Sequence, residues 1–243
     1  MDSLHSELEA RIDPEYKARV RDHYNMDVSR FMGVRTPDIR AIAAAQYRTV
    51  RKAPIEELLD RCDALLQKEI HEYKIIAFDW SYRSRKRLGP EHFALLEYWL
   101  EQYVDDWIDC DDFCTHTLGA FLVAYPDFLD QVKVWTTSQN RWVRRASAVS
   151  LIYGLRRGTH LDEAFDIARA LFDDQDDLVQ KGCGWVLKEA SKKHADAVFD
   201  YVMTWREAMP RTVLRYAVER LRDEQRQEAL ARHGVRGIPG GRA

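Results

Sequence analysis

The feature that most restricts the fold of this chain is a helical motif that recurs at a fixed distance. The segment Trp142-Val-Arg-Arg-Ala-Ser-Ala-Val aligns with Leu178-Val-Gln-Lys-Gly-Cys-Gly-Trp, 36 residues further on (178 − 142), and similar starts occur at Ile70 and Pro210. Paired helices that repeat every ~35–45 residues are typical of HEAT-like or armadillo-like stacks. The sequence therefore predicts an all-α protein, a right-handed α-solenoid whose concave side offers a surface for a long ligand.

Helix signals continue along the chain, whereas strand signals are missing from the sequence. Thr36-Pro37 begins a helix with a capping residue followed by proline. No Asn-Gly hairpin and no sustained apolar alternation is present. A plain helical bundle is the alternative to a solenoid. The predicted helices cover residues 4–24, 37–48, 54–67, 69–84, 90–104, 110–125, 127–138, 142–156, 161–172, 176–193, 195–207, 210–221 and 223–232.

We expect one repeat domain over residues 1–233 and a flexible, Gly- and Arg-rich tail over residues 234–243. Residues 1–15 are acidic and amphipathic, unlike a secretory signal, and no apolar run is long enough for a membrane span. The four cysteines lack the spacing of a disulfide framework, which is typical of reduced thiols in a cytoplasm. These features predict a cytoplasmic protein with no membrane contact.

Cys110, Cys114 and His116 are the residues that most suggest a metal site. Their spacing supplies half of a ligand set, and no second cluster in the sequence completes it. Free cysteines are commonly buried in protein cores, so we interpret these thiols as structural. The sequence therefore predicts no metal and no cofactor.

The charged residues lie in patches, although the net charge is only −3. Residues 97–112 contain seven acids and no base, whereas residues 141–161 contain five arginines and no acid. A local basic patch on a nearly neutral protein can still bind phosphates. Solvated helix ends are the alternative interpretation. A further basic cluster comprises Arg83, Arg85, Lys86 and Arg87.

Trp185 does not follow the apolar face of its predicted helix. On a helical wheel it shares the polar face with Lys181, Lys188 and Lys192, and two glycines beside it leave room for a close approach. Large aromatic residues are normally buried, and an aromatic ring among lysines suits contact with an anionic polymer. The alternative is that Trp185 packs against an adjacent repeat.

Arg144 and Arg145 lie in the first turn of another predicted helix, where the helix dipole disfavours cations by roughly 0.3–1 kcal/mol. Two arginines in this position suggest a phosphate site, because the free N–H groups of a helix N-terminus also favour an anion. A solvated helix end is the alternative.

Asp111 is predicted to lie on the core-facing stripe of its helix, in line with Cys114 and Leu118. A carboxylate there is either an N-cap or a group held in a cleft beside apolar surface. Trp107 lies just upstream, in the turn that leads into this helix.

Together these residues resemble the AlkD-type DNA alkylation repair glycosylases, a family of HEAT-like repeat proteins. The similarity extends from Phe31-Met-Gly-Val-Arg-Thr-Pro to Pro210-Arg-Thr-Val-Leu-Arg-Tyr-Ala. Its most specific segments are Trp107-Ile-Asp-Cys-Asp-Asp, Trp142-Val-Arg-Arg-Ala and Gln180-Lys-Gly-Cys-Gly-Trp-Val-Leu-Lys-Glu.

By this resemblance, Asp111 corresponds to the family's catalytic aspartate, Trp107 and Trp185 to its two cleft tryptophans, and Arg145 to its phosphate-facing arginine. One departure is Asp106, at a position where the family can carry a second aromatic residue. Asp106, Asp109 and Asp112 place further negative charge around Asp111.

The resemblance implies a monofunctional DNA glycosylase that removes cationic N3- and N7-alkylated purines, such as 3-methyladenine and 7-methylguanine, from double-stranded DNA. It further implies that the lesion is not flipped into a closed pocket and that an abasic site remains. We expect a monomer, associated with the nucleoid during repair. The alternative functions are a non-catalytic HEAT-like module that binds damaged DNA and a scaffold for other proteins.

For the mechanism we expect ionised Asp111 to position the attacking water, with the rings of Trp107 and Trp185 facing the sugar cation. Arg145, helped by Arg144, is expected to bind a phosphate beside the lesion. The sequence also predicts backbone contacts from lysines on the polar face of the last specific segment, namely Lys181 and Lys188.

Overall fold

The computed structural model describes residues 2–24 and 27–231, and all regular structure in those ranges is helical. The predicted tail over 234–243 lies outside the described residues. Among the described helices, none is both long and apolar enough to cross a bilayer. The α-helices are α1 (Asp2–Glu9), α2 (Pro14–Tyr24), α3 (Thr36–Val50), α4 (Ile55–Leu66), α5 (His71–Arg83), α6 (Phe93–Tyr103), α7 (Trp107–Phe113), α8 (Gly119–Ala124), α9 (Leu129–Val134), α10 (Arg141–Val149), α11 (Ile152–Leu155), α12 (Leu161–Ala170), α13 (Asp177–Ser191), α14 (Ala195–Trp205), α15 (Arg211–Ala217) and α16 (Asp223–Leu230).

The helices form two layers. Helices α3, α5, α7, α10, α13 and α15 each contact the next member of the series, and we call this series the cleft layer. Helices α4, α6, α9, α12, α14 and α16 lie behind it as the back layer, with α4 against α5 and with α12 and α14 against α13, while α16 contacts α14. Stacking of each helix pair on its sequence neighbour is the arrangement of a solenoid. The predicted α-solenoid is therefore confirmed, and the plain bundle is not the fold.

The predicted single helix over residues 4–24 is wrong, because α1 ends at Glu9 and α2 begins at Pro14. Proline has no N–H group and its ring collides with the preceding helical turn, so it favours a first-turn position. Asp13 completes the new start, since its Oδ1 atom accepts the Tyr16 N–H at 2.8 Å. The sequence contains this capping pattern, but the apolar spacing of residues 4–24 indicated one continuous helix.

Close packing of α13 on α15 positions one end of the cleft layer. A Cβ atom added to Gly184 would lie 2.5 Å from the Tyr216 Cβ and 3.0 Å from the Val213 oxygen. These contacts are too short for a side chain, so the glycine lets the two helices approach. The same approach brings Tyr216 beside the residues of α13 that the sequence singled out.

Candidate functional site

An open cleft of about 480 Å³ lies where four helices of the cleft layer meet. All of its lining residues belong to α7, α10, α13 and α15. Six of the seven site residues predicted from the sequence line this cleft, and Arg144 does not. The lining residues are Trp107, Asp111, Arg145, Leu178, Lys181, Trp185, Lys188 and Tyr216.

Helix α7 carries Trp107 and Asp111 on one face, because residues four apart are neighbours on a helix surface. The helix begins at Trp107, so the predicted start at residue 110 and the placement of Trp107 in a turn are wrong. Asp106 is the N-cap, and its Oδ1 atom accepts the Asp109 N–H at 2.8 Å. The predicted choice for Asp111 between a cap and a cleft carboxylate is thus decided in favour of the cleft.

A π-helical segment, Cys114–Leu118, follows α7 directly and joins it to α8. Such segments are rare and occur often at functional sites. The hydroxyl of Thr115 donates to the Asp111 carbonyl oxygen at 2.7 Å, which supports the backbone at the point where the helix widens. The carboxylate of Asp111 therefore projects from the last ordinary turn before this irregularity.

Arg145 holds the carboxylate of Asp111 through two parallel hydrogen bonds. Its Nε donates to Asp111 Oδ1 and its Nη2 to Asp111 Oδ2, both at 2.9 Å. A third donor, Nη1, binds the carbonyl oxygen of Leu178. The Asp111 side chain is 19% exposed and that of Arg145 only 7%. A planar guanidinium matches a carboxylate in this two-point geometry, so Arg145 fixes the orientation of Asp111.

Gly182 makes room for this arginine. A Cβ atom at Gly182 would lie 3.2 Å from both Cγ and Nη1 of Arg145, tighter than ordinary contact. The sequence predicted that the glycines near Trp185 leave space for a close approach. For Gly182 the group that approaches is the side chain of Arg145.

Burial in the cleft raises the pKa of Asp111 to about 6, although the Arg145 guanidinium opposes the shift by its charge and hydrogen bonds. The nearby negative charge of Asp112 adds to the increase. Asp112 itself is buried, but hydrogen bonding from His116 and the charge of Arg40 hold its pKa below the ordinary value. The pKa values of these two adjacent carboxyl groups are therefore shifted in opposite directions. Asp111 is the one that lines the cleft, and it is ionised at neutral pH.

Both indoles of the cleft are half-buried. The Nε1 atom of Trp185 donates to Glu189 Oε1 at 3.3 Å, and Glu189 in turn pairs with Arg156 at 2.9 Å and Lys192 at 2.7 Å. Trp185 also packs against the apolar core. Trp185 therefore packs against the core, as the alternative interpretation expected, and it also lines the cleft, whereas its contact with an anionic polymer stays a prediction.

The remaining predicted DNA-binding residues each contact an acid. Lys181 lies 2.6 Å from Asp177 on its own helix. Arg144 pairs with Asp174 at 2.6 Å, outside the cleft.

Lys188 lies 3.0 Å from Glu219, and its Nζ is 5.6 Å from the centre of the Tyr216 ring. Sequence reasoning missed Tyr216, even though it lies in the Pro210 segment that was identified as a repeat start. The arrangement of α13 against α15 is what brings this ring to the cleft.

A second cavity of about 670 Å³ adjoins the cleft and shares Trp107 and Leu178 with it. The ligand atoms of His71, Asp106 and Asp109 there lie within 4.8 Å of one another. However, the Lys74 ammonium group lies 2.9 Å from Asp109 Oδ2, and His71 Nδ1 lies 3.1 Å from Asp109 Oδ1. The Lys74 ammonium group already balances the charge of the buried Asp109 carboxylate, so the geometry of this cluster is that of an internal ion network.

Cys110, Cys114 and His116 are not brought together as a ligand set. The two Sγ atoms are 4.0 Å apart and both thiols are fully buried, which raises the pKa of Cys114. His116 Nδ1 instead lies 2.8 Å from the Asp112 carbonyl oxygen.

Comparison with known proteins gives one family and a consistent fold. The family model described as "DNA alkylation repair enzyme" matches residues 4–221. A predicted DNA alkylation repair enzyme from Enterococcus faecalis has 19% identity and a TM-score of 0.77, with 88% of this chain and 98% of that chain covered. AlkD2 from Streptococcus mutans has 17% identity and a TM-score of 0.59, with 86% and 98% covered. No curated protein matches significantly.

Proposed function

The chain belongs to the DNA alkylation repair enzyme family, and we propose that it is a DNA glycosylase for cationic N3- and N7-alkylated purines in duplex DNA. The observation that carries the proposal is Asp111, a carboxylate fixed by Arg145 in a cleft that two tryptophans border. The reaction hydrolyses the N-glycosidic bond and leaves an abasic site. The damaged nucleotide lies along the cleft layer and is not enclosed in a pocket.

The chemistry follows from the charge of the lesion. Alkylation at N3 or N7 makes the purine a cation, so the bond from C1′ to N9 can break without a general acid. The bonding electron pair moves to the purine, which departs as a neutral base, and positive charge develops on the sugar. Water then bonds to C1′ and gives its proton to Asp111, from which it passes to solvent.

Asp111 and the two indoles stabilise the developing cation. An ionised carboxylate that is already oriented needs no reorganisation as charge develops, which is the most effective form of electrostatic catalysis. The faces of Trp107 and Trp185 add cation–π attraction of ~0.5–2 kcal/mol each. Arg145 acts through Asp111 and is a positioning residue, because three of its N–H groups are used within the protein.

Lys181 and Lys188 border the cleft and are proposed to contact the DNA backbone. Each would exchange its carboxylate partner, Asp177 or Glu219, for a phosphate. Arg144 lies outside the cleft and holds Asp174, so we assign it to the support of α10.

Release of free base tests the proposed function. A duplex with one 7-methylguanine, incubated with excess protein, is expected to yield free 7-methylguanine by chromatography and an abasic, unbroken strand. A non-catalytic module that binds damaged DNA would retain the duplex in a binding assay and release no base. That second result would replace the glycosylase with the binding module.

Base release is also expected to depend on pH through Asp111. The carboxylate is the active form and burial raises its pKa to about 6, so the single-turnover rate falls as the pH decreases through about 6, by up to tenfold per pH unit. Spontaneous depurination at each pH is subtracted. An unchanged rate from pH ~7 to ~5 would contradict the assignment.

Acid unfolding through Asp111 does not imitate this effect. A carboxyl group whose pKa is higher in the folded state binds protons more tightly there than in the unfolded chain. Protonation of Asp111 therefore stabilises the folded state as the pH decreases from about 6 towards 3.8, the pKa of an ordinary aspartate. Thermal melting at each pH separates the two effects.

A further inference from the structure

Most basic residues in the charge patches are already paired with carboxylates in this structure. A phosphate that approaches such a residue must displace an acid, so the gain in binding is small. The pairs are Arg83 with Asp79, Arg141 with Asp176, Arg144 with Asp174, Arg145 with Asp111, Arg156 with Glu189, Lys181 with Asp177, Lys188 with Glu219 and Lys192 with Glu189.

Arg85 and Arg157 are held differently, by tyrosine rings. The guanidinium carbon of Arg85 lies 4.3 Å from the centre of the Tyr82 ring, and that of Arg157 lies 3.4 Å from the centre of the Tyr153 ring. Each arginine also donates through Nη1 to the carbonyl oxygen of the same tyrosine, at 3.0 and 2.8 Å. Across residues 2–24 and 27–231, neither arginine forms a salt bridge with an acid.

The two tyrosines belong to one aromatic cluster between α5 of the cleft layer and α11. The Tyr82 and Tyr153 rings meet edge to face with centres 6.2 Å apart, and the Tyr82 and His116 rings do the same at 5.1 Å. We call Tyr82, Arg85, His116, Tyr153 and Arg157 the arginine–tyrosine surface. It joins helix α5, the π-helical segment and helix α11.

The surface is connected to the wall of the cleft through the residue that precedes Arg157. Arg156, the neighbour of Arg157, donates to Glu189 at 2.9 Å, and Glu189 also accepts the Trp185 indole N–H at 3.3 Å. A duplex with one nucleotide at Trp185 and its neighbouring backbone along the end of α11 would meet this surface. The part of the duplex at this point would be its negatively charged phosphate backbone.

We propose that the arginine–tyrosine surface binds the phosphate backbone of duplex DNA next to the cleft, an inference that rests on the proposed glycosylase function. A guanidinium is always charged and offers planar, paired donors that fit a phosphate. The ring and carbonyl contacts of Arg85 and Arg157 restrict their side chains before DNA binds, which lowers the entropic cost of binding. No acid has to be displaced from either residue.

The test is the salt dependence of binding for the double variant Arg85→Gln, Arg157→Gln. Fluorescence anisotropy with an undamaged duplex measures Kd at several salt concentrations. The slope of log K against log salt is negative, and each lost phosphate contact reduces its magnitude by ~0.9, so we expect a slope that is less steep by ~1.8. Affinity at low salt is expected to fall on the order of tenfold to hundredfold. The single-turnover rate with saturating protein is expected to stay unchanged, since both arginines lie outside the cleft.

The matched control removes the same charge from the back layer. Arg61 and Lys133 lie on α4 and α9, and each contacts a carboxylate on the exposed side. The double variant Arg61→Gln, Lys133→Gln has the same net charge as the test variant, and its salt slope is expected to equal that of the wild type. Equal losses in both double variants would overturn the proposal, because they would show a general effect of charge.

A second pair of variants tests the role of the ring. Tyr153→Phe keeps the aromatic face beneath Arg157 and is expected to bind as the wild type does. Tyr153→Leu removes the face and is expected to weaken binding several-fold, at an unchanged melting profile. A wild-type slope in the double arginine variant would refute this surface and leave base release intact. Absence of base release in a protein that still shows the expected slopes would instead refute the glycosylase function.

Discussion

Replacing Asp111 with asparagine is expected to slow the release of 7-methylguanine by about two to three orders of magnitude, the usual cost of removing a preoriented electrostatic group. Asparagine keeps the size of the side chain and one oxygen for Arg145, but it carries no charge to oppose the sugar cation. The affinity for the duplex is expected to stay within a few-fold of the wild type. Single-turnover base release and fluorescence anisotropy measure the two quantities separately.

Asp112→Asn is the matched control for this variant. Asp112 is the next residue on α7 and is also buried, but its carboxylate lies against Arg40 and His116 and not in the cleft. We expect its base release to stay within a few-fold of the wild type. Melting curves establish that both proteins are folded, since each substitution leaves an arginine without its full counter-charge. Wild-type release by Asp111→Asn would remove Asp111 from the mechanism.

The solenoid could be predicted because repeated apolar spacing is a local property of the sequence. The Trp142 and Leu178 segments did become equivalent helices, α10 and α13, which contact each other in the cleft layer. Helix ends were harder to predict. Asp106 is the cap of α7, but Asp105 and Asp109 fit a cap equally well in the sequence. Asp13 caps α2, but the apolar spacing of residues 4–24 favoured one continuous helix there.

The membership of the cleft was partly visible in the sequence, because Trp185 and its lysines break the apolar face of their helix. The partners of the charged residues were not. The pairing of Asp111 with Arg145 joins positions 34 residues apart and depends on how α7 packs against α10. Glu72 is a similar case, because it is fully buried and accepts the backbone N–H groups of Met32, Gly33 and Val34.

These pairings change the role given to the basic residues. From sequence, a cation near a helix N-terminus suggests a phosphate site, and the resemblance assigned that role to Arg145. In the structure Arg145 pairs with the carboxylate of Asp111, and its contact with a phosphate stays a prediction. Among the residues that the structure describes, Arg85 and Arg157 form no salt bridge with an acid. Charge patterns identify where cations are, but only the packed structure shows which of them are available to DNA.

The second large effect concerns the charge of the leaving base. The cleft supplies an ionised carboxylate and aromatic faces, and the proposed mechanism uses no general acid. The proposed mechanism therefore applies to bases that depart readily because they already carry a positive charge. A base with the same shape but no positive charge is expected to remain attached to its sugar.

The most direct measurement compares two duplexes that differ only at this point. One contains 7-methylguanine, and the other contains 7-methyl-7-deazaguanine, in which carbon replaces N7 and the base is neutral. With excess protein, we expect free base from the first duplex and none above background from the second, at comparable affinity for both. Release of the neutral base at a similar rate would contradict the account, because it would require the protein to protonate the leaving group.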